Sequence, residues 1–112
     1  MPIVLPDLDV EKVKRWCRAR VPAKFKDEVR LEVNVGGKSV SIHERRPVWN
    51  DVAGEWTNMP IAQLRDAGDG AWTLYSGDRY GKWTLYLGLE ATQPIDVILD
   101  EIDADPTSVF WG

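Results

Sequence analysis

The stretch Val29–Arg45, VRLEVNVGGKSVSIHER, decides how this chain folds. Val29, Leu31, Val33 and Val35 alternate with Arg30, Glu32 and Asn34, and the alternation resumes at Val40 and Ile42, the period-two pattern of a half-buried strand pair. Gly36-Gly37 supplies the positive φ that a two-residue hairpin turn needs. That turn sets Val35 opposite Lys38, Val33 opposite Val40 and Leu31 opposite Ile42. One face is then apolar, and the other carries Arg30 opposite His43 and Glu32 opposite Ser41. The same parity sends Glu44, opposite Val29, to the apolar side and keeps His43 and Arg45 on the polar side.

Upstream of the hairpin, Val10, Val13, Trp16 and Cys17 recur at spacings of three and four from Asp9 onward, the signature of an amphipathic helix, with Asp7 or Asp9 as acceptors for its first-turn N–H groups. Pro22 ends it, and the link PAKFKDE has room for one further turn. Downstream, residues 47–60 hold two prolines, Gly54 and two tryptophans and read as an ordered loop. MPIAQLRD is assigned as a strand in preference to a helical turn, and DAGDG as the turn after it. WTLY occurs at Trp72–Tyr75 and again at Trp83–Tyr86. A four-residue connection, Gly77 to Tyr80, pairs Leu74 with Trp83 and Trp72 with Leu85, so both copies give Trp and Leu to the apolar face and Thr and Tyr to the other. TQPIDVILDEID is a second amphipathic helix, with Ile95, Ile98, Leu99 and Ile102 on one stripe, Thr92 or Gln93 as its cap and Pro94 in its first turn. Asp105-Pro106 stops it, and Val109, Phe110 and Trp111 are expected to dock on the core.

The order helix, four or five strands, helix is that of an α+β two-layer sandwich: an antiparallel meander sheet with an N-terminal and a C-terminal helix on one face and the other face solvated. At 112 residues the chain is one domain, 1–112. One cysteine, Cys17, allows no internal disulfide and fits a cytoplasmic location, and no apolar run is long enough for a membrane span. The opening MPIVLPDLDV lacks the basic region and apolar run of a signal peptide.

The net charge of −4 hides an asymmetry. Residues 1–46 carry eleven Lys/Arg against seven Asp/Glu, a net +4, and residues 47–112 carry three against eleven, a net −8. Lys12, Lys14, Arg15, Arg18, Arg20, Lys24 and Lys26 form a run free of acids. Such a run can hold phosphates, but the acidic half of the same molecule can neutralise it, and intramolecular complementarity is the preferred reading over nucleic-acid binding.

No familiar catalytic signature is present. One histidine and one cysteine cannot build a zinc site, the acids near Asp96–Asp105 lack the spacing of a calcium loop, and the glycines sit in turns, so neither a metal nor a cofactor is expected. Cys17 lies on the apolar helix stripe as a small core residue. Of the six tryptophans, Trp16, Trp72, Trp83 and Trp111 have core-facing positions, whereas Trp49 and Trp56 lie in the loop after HERRP, where they staple it or wall a pocket. Glu44 and Arg46, two residues apart on a strand end, are explained by a rim salt bridge.

RWCRARVP at Arg15–Pro22, HERRPVW at His43–Trp49, EWT at Glu55–Thr57, WTLY followed by Asp78-Arg79, and DPTSVFWG at the C-terminal end together resemble the DUF3024 family of small bacterial proteins. The resemblance covers nearly the whole chain. It implies a stand-alone domain and brings no activity, ligand or catalytic residue with it.

The leading functional expectation is a non-enzymatic ligand-binding or protein-interaction module. Its candidate site residues are Arg30, His43, Arg45, Tyr75 and Tyr86 on the polar sheet face, with Trp49 and Trp56 at the rim; convergent Arg, His and Tyr donors suit an anionic or planar ligand. An enzyme using His43 and Glu44 for acid/base chemistry is the first alternative, opposed by the fact that adjacent strand residues point to opposite faces. A nucleic-acid binder through Lys12–Lys26 is the second. A homodimer or a protein partner is compatible with an exposed strand edge.

Overall fold

The computed structural model describes residues 6–21, 28–48 and 55–111. The expectations for a turn of helix in the link at 22–27 and for Trp49 fall outside them. The elements are α1 (Asp7–Arg20), β1 (Arg30–Gly36), β2 (Ser39–Arg45), β3 (Met59–Gly68), β4 (Ala71–Gly77), β5 (Trp83–Leu85), β6 (Gln93–Pro94) and α2 (Ile95–Ala104). The strands form one antiparallel sheet in the order β1-β2-β3-β4-β5, and β6 pairs with the start of β4. This is the expected α+β meander with a helix at each end, and MPIAQLRD is a strand.

Both helices cover the same sheet face. Val10, Val13 and Cys17 of α1 and Ile95, Ile98, Leu99 and Ile102 of α2 join Val40, Ile42, Leu64, Trp72 and Leu74 in one buried cluster. The helix starts differ from expectation. Neither has a side-chain cap: Pro6 and Pro94 hold the cap positions. Asp9 instead accepts a hydrogen bond from the indole Nε1 of Trp72 at 2.8 Å, which satisfies the one polar atom of a fully buried tryptophan. At the other end Asp105, left-handed at φ 46°, closes α2, and its carboxylate accepts the backbone N–H groups of Phe110 (3.0 Å) and Trp111 (2.9 Å). The C-terminal segment therefore docks through Phe110, which is buried, and Trp111, which donates its Nε1–H to Ile102 O and stacks on Trp16; Val109 stays exposed.

The β1–β2 hairpin keeps its expected faces but not its expected register. Gly37, at φ 57°, and Lys38 form the turn, so Val35 opposes Val40, Val33 opposes Ile42 and Leu31 opposes Glu44. The slip is two residues, an even number, and every side chain keeps its face. The observed register sets β-branched side chains against one another where the expected one set Val35 against Lys38. On the polar side His43 now faces Glu32, and Arg45 faces Arg30.

The β4–β5 hairpin departs by an odd step, and there the faces change. Gly77 pairs with Trp83, Ser76 with Thr84 and Tyr75 with Leu85. The connection is a tight turn from Asp78 to Lys82: Asp78 N donates to Lys82 O, Asp78 Oδ1 accepts the N–H groups of Tyr80 and Lys82, and Gly81 sits at φ 85°. A left-handed glycine after such a turn adds one residue to one side of the ladder. Trp83 thereby moves to the helix-free face and Tyr86 to the core, the reverse of what the repeated WTLY suggests.

Candidate functional site

Among the described residues no helix covers the second sheet face, and this helix-free face presents residues from all five main strands. Ser41, His43 and Arg45 come from β2, Gln63 and Arg65 from β3, Tyr75 and Gly77 from β4, Trp83 from β5, and Arg30 and Glu32 from the edge strand β1. Four of the sequence-derived candidates, Arg30, His43, Arg45 and Tyr75, lie on this face as expected.

At one end, Arg45 Nη1 reaches both carboxylate oxygens of Glu32 at 3.3 Å, and its Nε donates to Thr57 O at 3.4 Å. Glu32 thus sits diagonally between two facing arginines and offsets their repulsion. The guanidinium of Arg30 lies 4.0 Å from the ring centroid of Trp56. Trp56 is held there because the loop closes on itself: Pro47 bridges to Trp56, Val48 N donates to Glu55 O and Thr57 N to Arg46 O. The loop after HERRP is therefore an ordered rim at its two ends.

In the centre, Arg65 stacks 3.7 Å from the centroid of Tyr75 and donates through Nε to Gln63 Oε1 at 2.7 Å; Gln63 Nε2 in turn donates to Ser41 Oγ at 3.1 Å. The ring stack and the Gln63 bond hold the Arg65 guanidinium in place, a pre-organised fork for an anion.

At the other end, the indole of Trp83 lies close over Gly77. A Cβ on Gly77 would stand 2.7 Å from Trp83 Cζ3, 2.7 Å from Pro60 Cβ and 3.0 Å from Pro60 O, so only glycine lets the ring approach the sheet this closely. His43 meets the same ring edge-on, with centroids 6.0 Å apart at 82°. Among the described residues, His43 Nδ1 is buried without a hydrogen-bond partner. Burial pushes the His43 pKa below the ordinary imidazole value; the Asn58 side chain and the Glu32 carboxylate oppose that shift, and Arg45 adds to it.

Tyr86 does not belong to this face. It is 7% exposed on the helix side, packs against Phe110 at 5.1 Å and donates its hydroxyl to Glu101 Oε2 of α2 at 2.6 Å. Burial, with that bond to Glu101, raises the phenol pKa. Trp83 takes its place. Neither Trp83 nor its neighbours Gly77 and Pro60 were legible as site residues, because the expected even-length connection sent Trp83 inward. The signal that could have found them is Asp78-Arg79-Tyr80-Gly81, aspartate at the first and glycine at the fourth position of a turn.

His43 and Glu44 project to opposite sides of the sheet. Glu44 closes the helix side, where it accepts from Arg46 Nε at 2.9 Å, the rim salt bridge expected for this pair. Glu44 lines two grooves of about 300 and 290 Å³ near Trp111, and His43 lines neither. The acid/base pair of the enzymatic alternative is thus not assembled. The basic run is divided as well: Lys12 pairs with Asp96 at 3.2 Å and Arg20 with Asp103, both across to α2, while Lys14 pairs with Glu11 at 3.6 Å on its own helix. Arg20 also lies 4.2 Å from the centroid of Trp111.

No three His, Cys, Asp or Glu side chains among the described residues are grouped to hold a metal ion, and none of the helices described is long and apolar enough to cross a membrane. Fold and face together define a small α+β domain with an open sheet surface built of arginines and aromatic rings. The chain matches, over residues 2–112, the model of a family described as a domain of unknown function, DUF3024, and belongs to that family. No curated protein and no solved structure matches it significantly.

Proposed function

We propose that this chain is a non-enzymatic binding domain of the cytoplasm whose recognition surface is the helix-free sheet face, with Arg30, His43, Arg45, Trp56, Tyr75 and Trp83 as its contact residues. The observation that carries the reading is the pairing of guanidinium groups with aromatic rings on that one face: Arg30 on Trp56 and Arg65 on Tyr75, with the Trp83 indole laid against the glycine backbone beside them. A group that is planar, anionic or both meets complementary chemistry at each point: donor forks for its oxygens and flat rings for its faces. The ligand is either a small molecule or an exposed group of a protein partner.

The test is a binding screen with planar anions, nucleoside monophosphates and aromatic carboxylates, against the wild-type chain and a His43→Ala, Arg45→Ala, Tyr75→Ala triple variant. Binding is expected to disappear in the variant while its circular dichroism spectrum stays that of the wild type. Binding that survives all three changes would place the site elsewhere.

A further inference from the structure

The two lateral edges of the sheet are not equivalent. On one side the sheet ends in β5, three residues long, and β6 closes the remaining edge of β4. On the other it ends in β1, seven residues that pair with β2 without a register break and contain no proline. Among the described residues no strand pairs with the outer edge of β1. Long, unbroken edges offer a row of backbone donors and acceptors to another chain, and natural edges are ordinarily shortened, bulged or interrupted by proline to prevent this. β1 has none of those devices.

α1 lies over this edge strand but leaves part of its apolar face open. The cover is incomplete, as the side chains show: Val40 and Ile42 of β2 are 0% exposed, while Leu31 and Val33 of β1 are half-buried and Val35 is 51% exposed. Between α1 and β1 lies a groove of about 400 Å³, floored by Cys17, Val21, Leu31 and Val33. Lys14 and Arg18, one helical turn apart, line its α1 side.

Charge decides what fits there. Lys12 and Arg20, on the flank of α1 turned to α2, are matched by Asp96 and Asp103. Among the described residues, Lys14 on the groove side has only the weak helical pair with Glu11, and the carboxylate of Glu32 is engaged by Arg45 on the other sheet face. A second copy added edge to edge about a twofold axis would bring Lys14 and Arg18 against their own counterparts, a like-charge contact. We infer that the groove between α1 and β1 is a docking site for an extended, acidic segment of another protein, which adds a strand to the free edge of β1, lays apolar side chains on Leu31 and Val33, and directs carboxylates to Lys14 and Arg18. This surface is separate from the helix-free face, so it stands or falls independently of the function proposed above.

The test uses the full ¹⁵N-labelled chain and three capped eight-residue peptides: valine alternating with glutamate, valine alternating with lysine, and a glutamate peptide with proline in place of each valine. The Val/Glu peptide is expected to shift amide signals of residues 30–36 and 14–21 in a salt-dependent way. Lys14→Glu with Arg18→Glu is expected to weaken it roughly tenfold, from two surface charge contacts of somewhat under 1 kcal/mol each, and to make the Val/Lys peptide the better ligand. The docking site is overturned if millimolar Val/Glu peptide leaves residues 30–36 unmoved, if the lysine peptide binds the wild type equally well, or if the proline peptide binds as tightly, since it keeps the charge but cannot add a strand. Self-association of the wild type through β1 in sedimentation would also overturn it, by naming a second copy as the occupant.

Discussion

Substitution of Gly77 by alanine adds one methyl group at the point where the open face is most tightly built. The new Cβ would sit 2.7 Å from Pro60 Cβ, 2.7 Å from Trp83 Cζ3 and 3.0 Å from Pro60 O, all well inside ordinary van der Waals contact. Pro60 is a buried strand residue with a rigid ring, so the relief has to come from Trp83 moving off the sheet and from a backbone adjustment in β3. Overpacking of this kind costs about 1–3 kcal/mol, and replacing a strand glycine returns about 0.5–1 kcal/mol of backbone entropy, leaving a net loss of about 1–2 kcal/mol. For a domain of this size that is a fall in unfolding midpoint of roughly 5–10 °C. Urea unfolding followed by far-ultraviolet circular dichroism measures it without relying on the mixed fluorescence of six tryptophans. Repeating the substitution in a Trp83→Ala background separates the two contacts: the Pro60 clash persists, the Trp83 clash does not, and the two changes are expected to couple by about 0.5 kcal/mol or more. A neutral or stabilising Gly77→Ala, with no coupling to Trp83, would refute the placement of that ring over the sheet.

Three further outcomes follow from the same geometry. The neutral form of His43 is favoured in the fold, so the unfolded chain takes up the proton first as pH falls below about 6.5; the stability His43 confers is complete above that value and is lost below it. The unfolding midpoint should drop more between pH 7.5 and 5.5 in the wild type than in His43→Gln, and equal drops would contradict the burial of this side chain. Cys17 is buried and its thiol is pushed up to about 12, so the native chain should react with a thiol reagent at pH 8 only as fast as it opens, with full reactivity in denaturant; immediate reaction in the native state would show α1 to be displaced. Deleting residues 110–112 removes the buried Phe110 and the two backbone N–H groups held by Asp105, a loss of about 3–5 kcal/mol; an unchanged thermal midpoint would mean that the C-terminal segment does not dock.

Elements with a strong period were legible from the residues alone. The alternation through Val29–Ile42 and the three-and-four spacing of Val10, Val13 and Cys17 report burial directly, and burial is what the sheet and α1 consist of. The β1–β2 register was two residues off without consequence, because strand faces repeat every two residues and the slip was even. The β4–β5 register was off by an odd step, and that single parity error exchanged Trp83 with Tyr86 between site and core. Nothing in WTLY distinguishes its two copies; the information lay in the turn between them, where Asp78 caps the chain and Gly81 takes a left-handed conformation. The roles of Asp9 and Asp105 were hidden for a different reason. Each acts at long range or across a chain reversal, Asp9 on the Trp72 indole and Asp105 on the C-terminal backbone, while the sequence offered both a simpler local task at a helix end.

The helix-free face as the recognition surface is tested most directly by the indole region of a ¹H–¹⁵N correlation spectrum, in which each tryptophan is its own reporter. Trp56 and Trp83 lie on the open face, Trp72 is buried with its Nε1–H on Asp9, and Trp16 and Trp111 stack on the helix side. With the six signals assigned by substitution and the chain titrated with nucleoside monophosphates and aromatic carboxylates, the expected result is movement of the Trp56 and Trp83 indoles while Trp72, Trp16 and Trp111 stay fixed. Binding that moves Trp16 and Trp111 and leaves Trp56 and Trp83 in place would contradict the assignment of this face as the site.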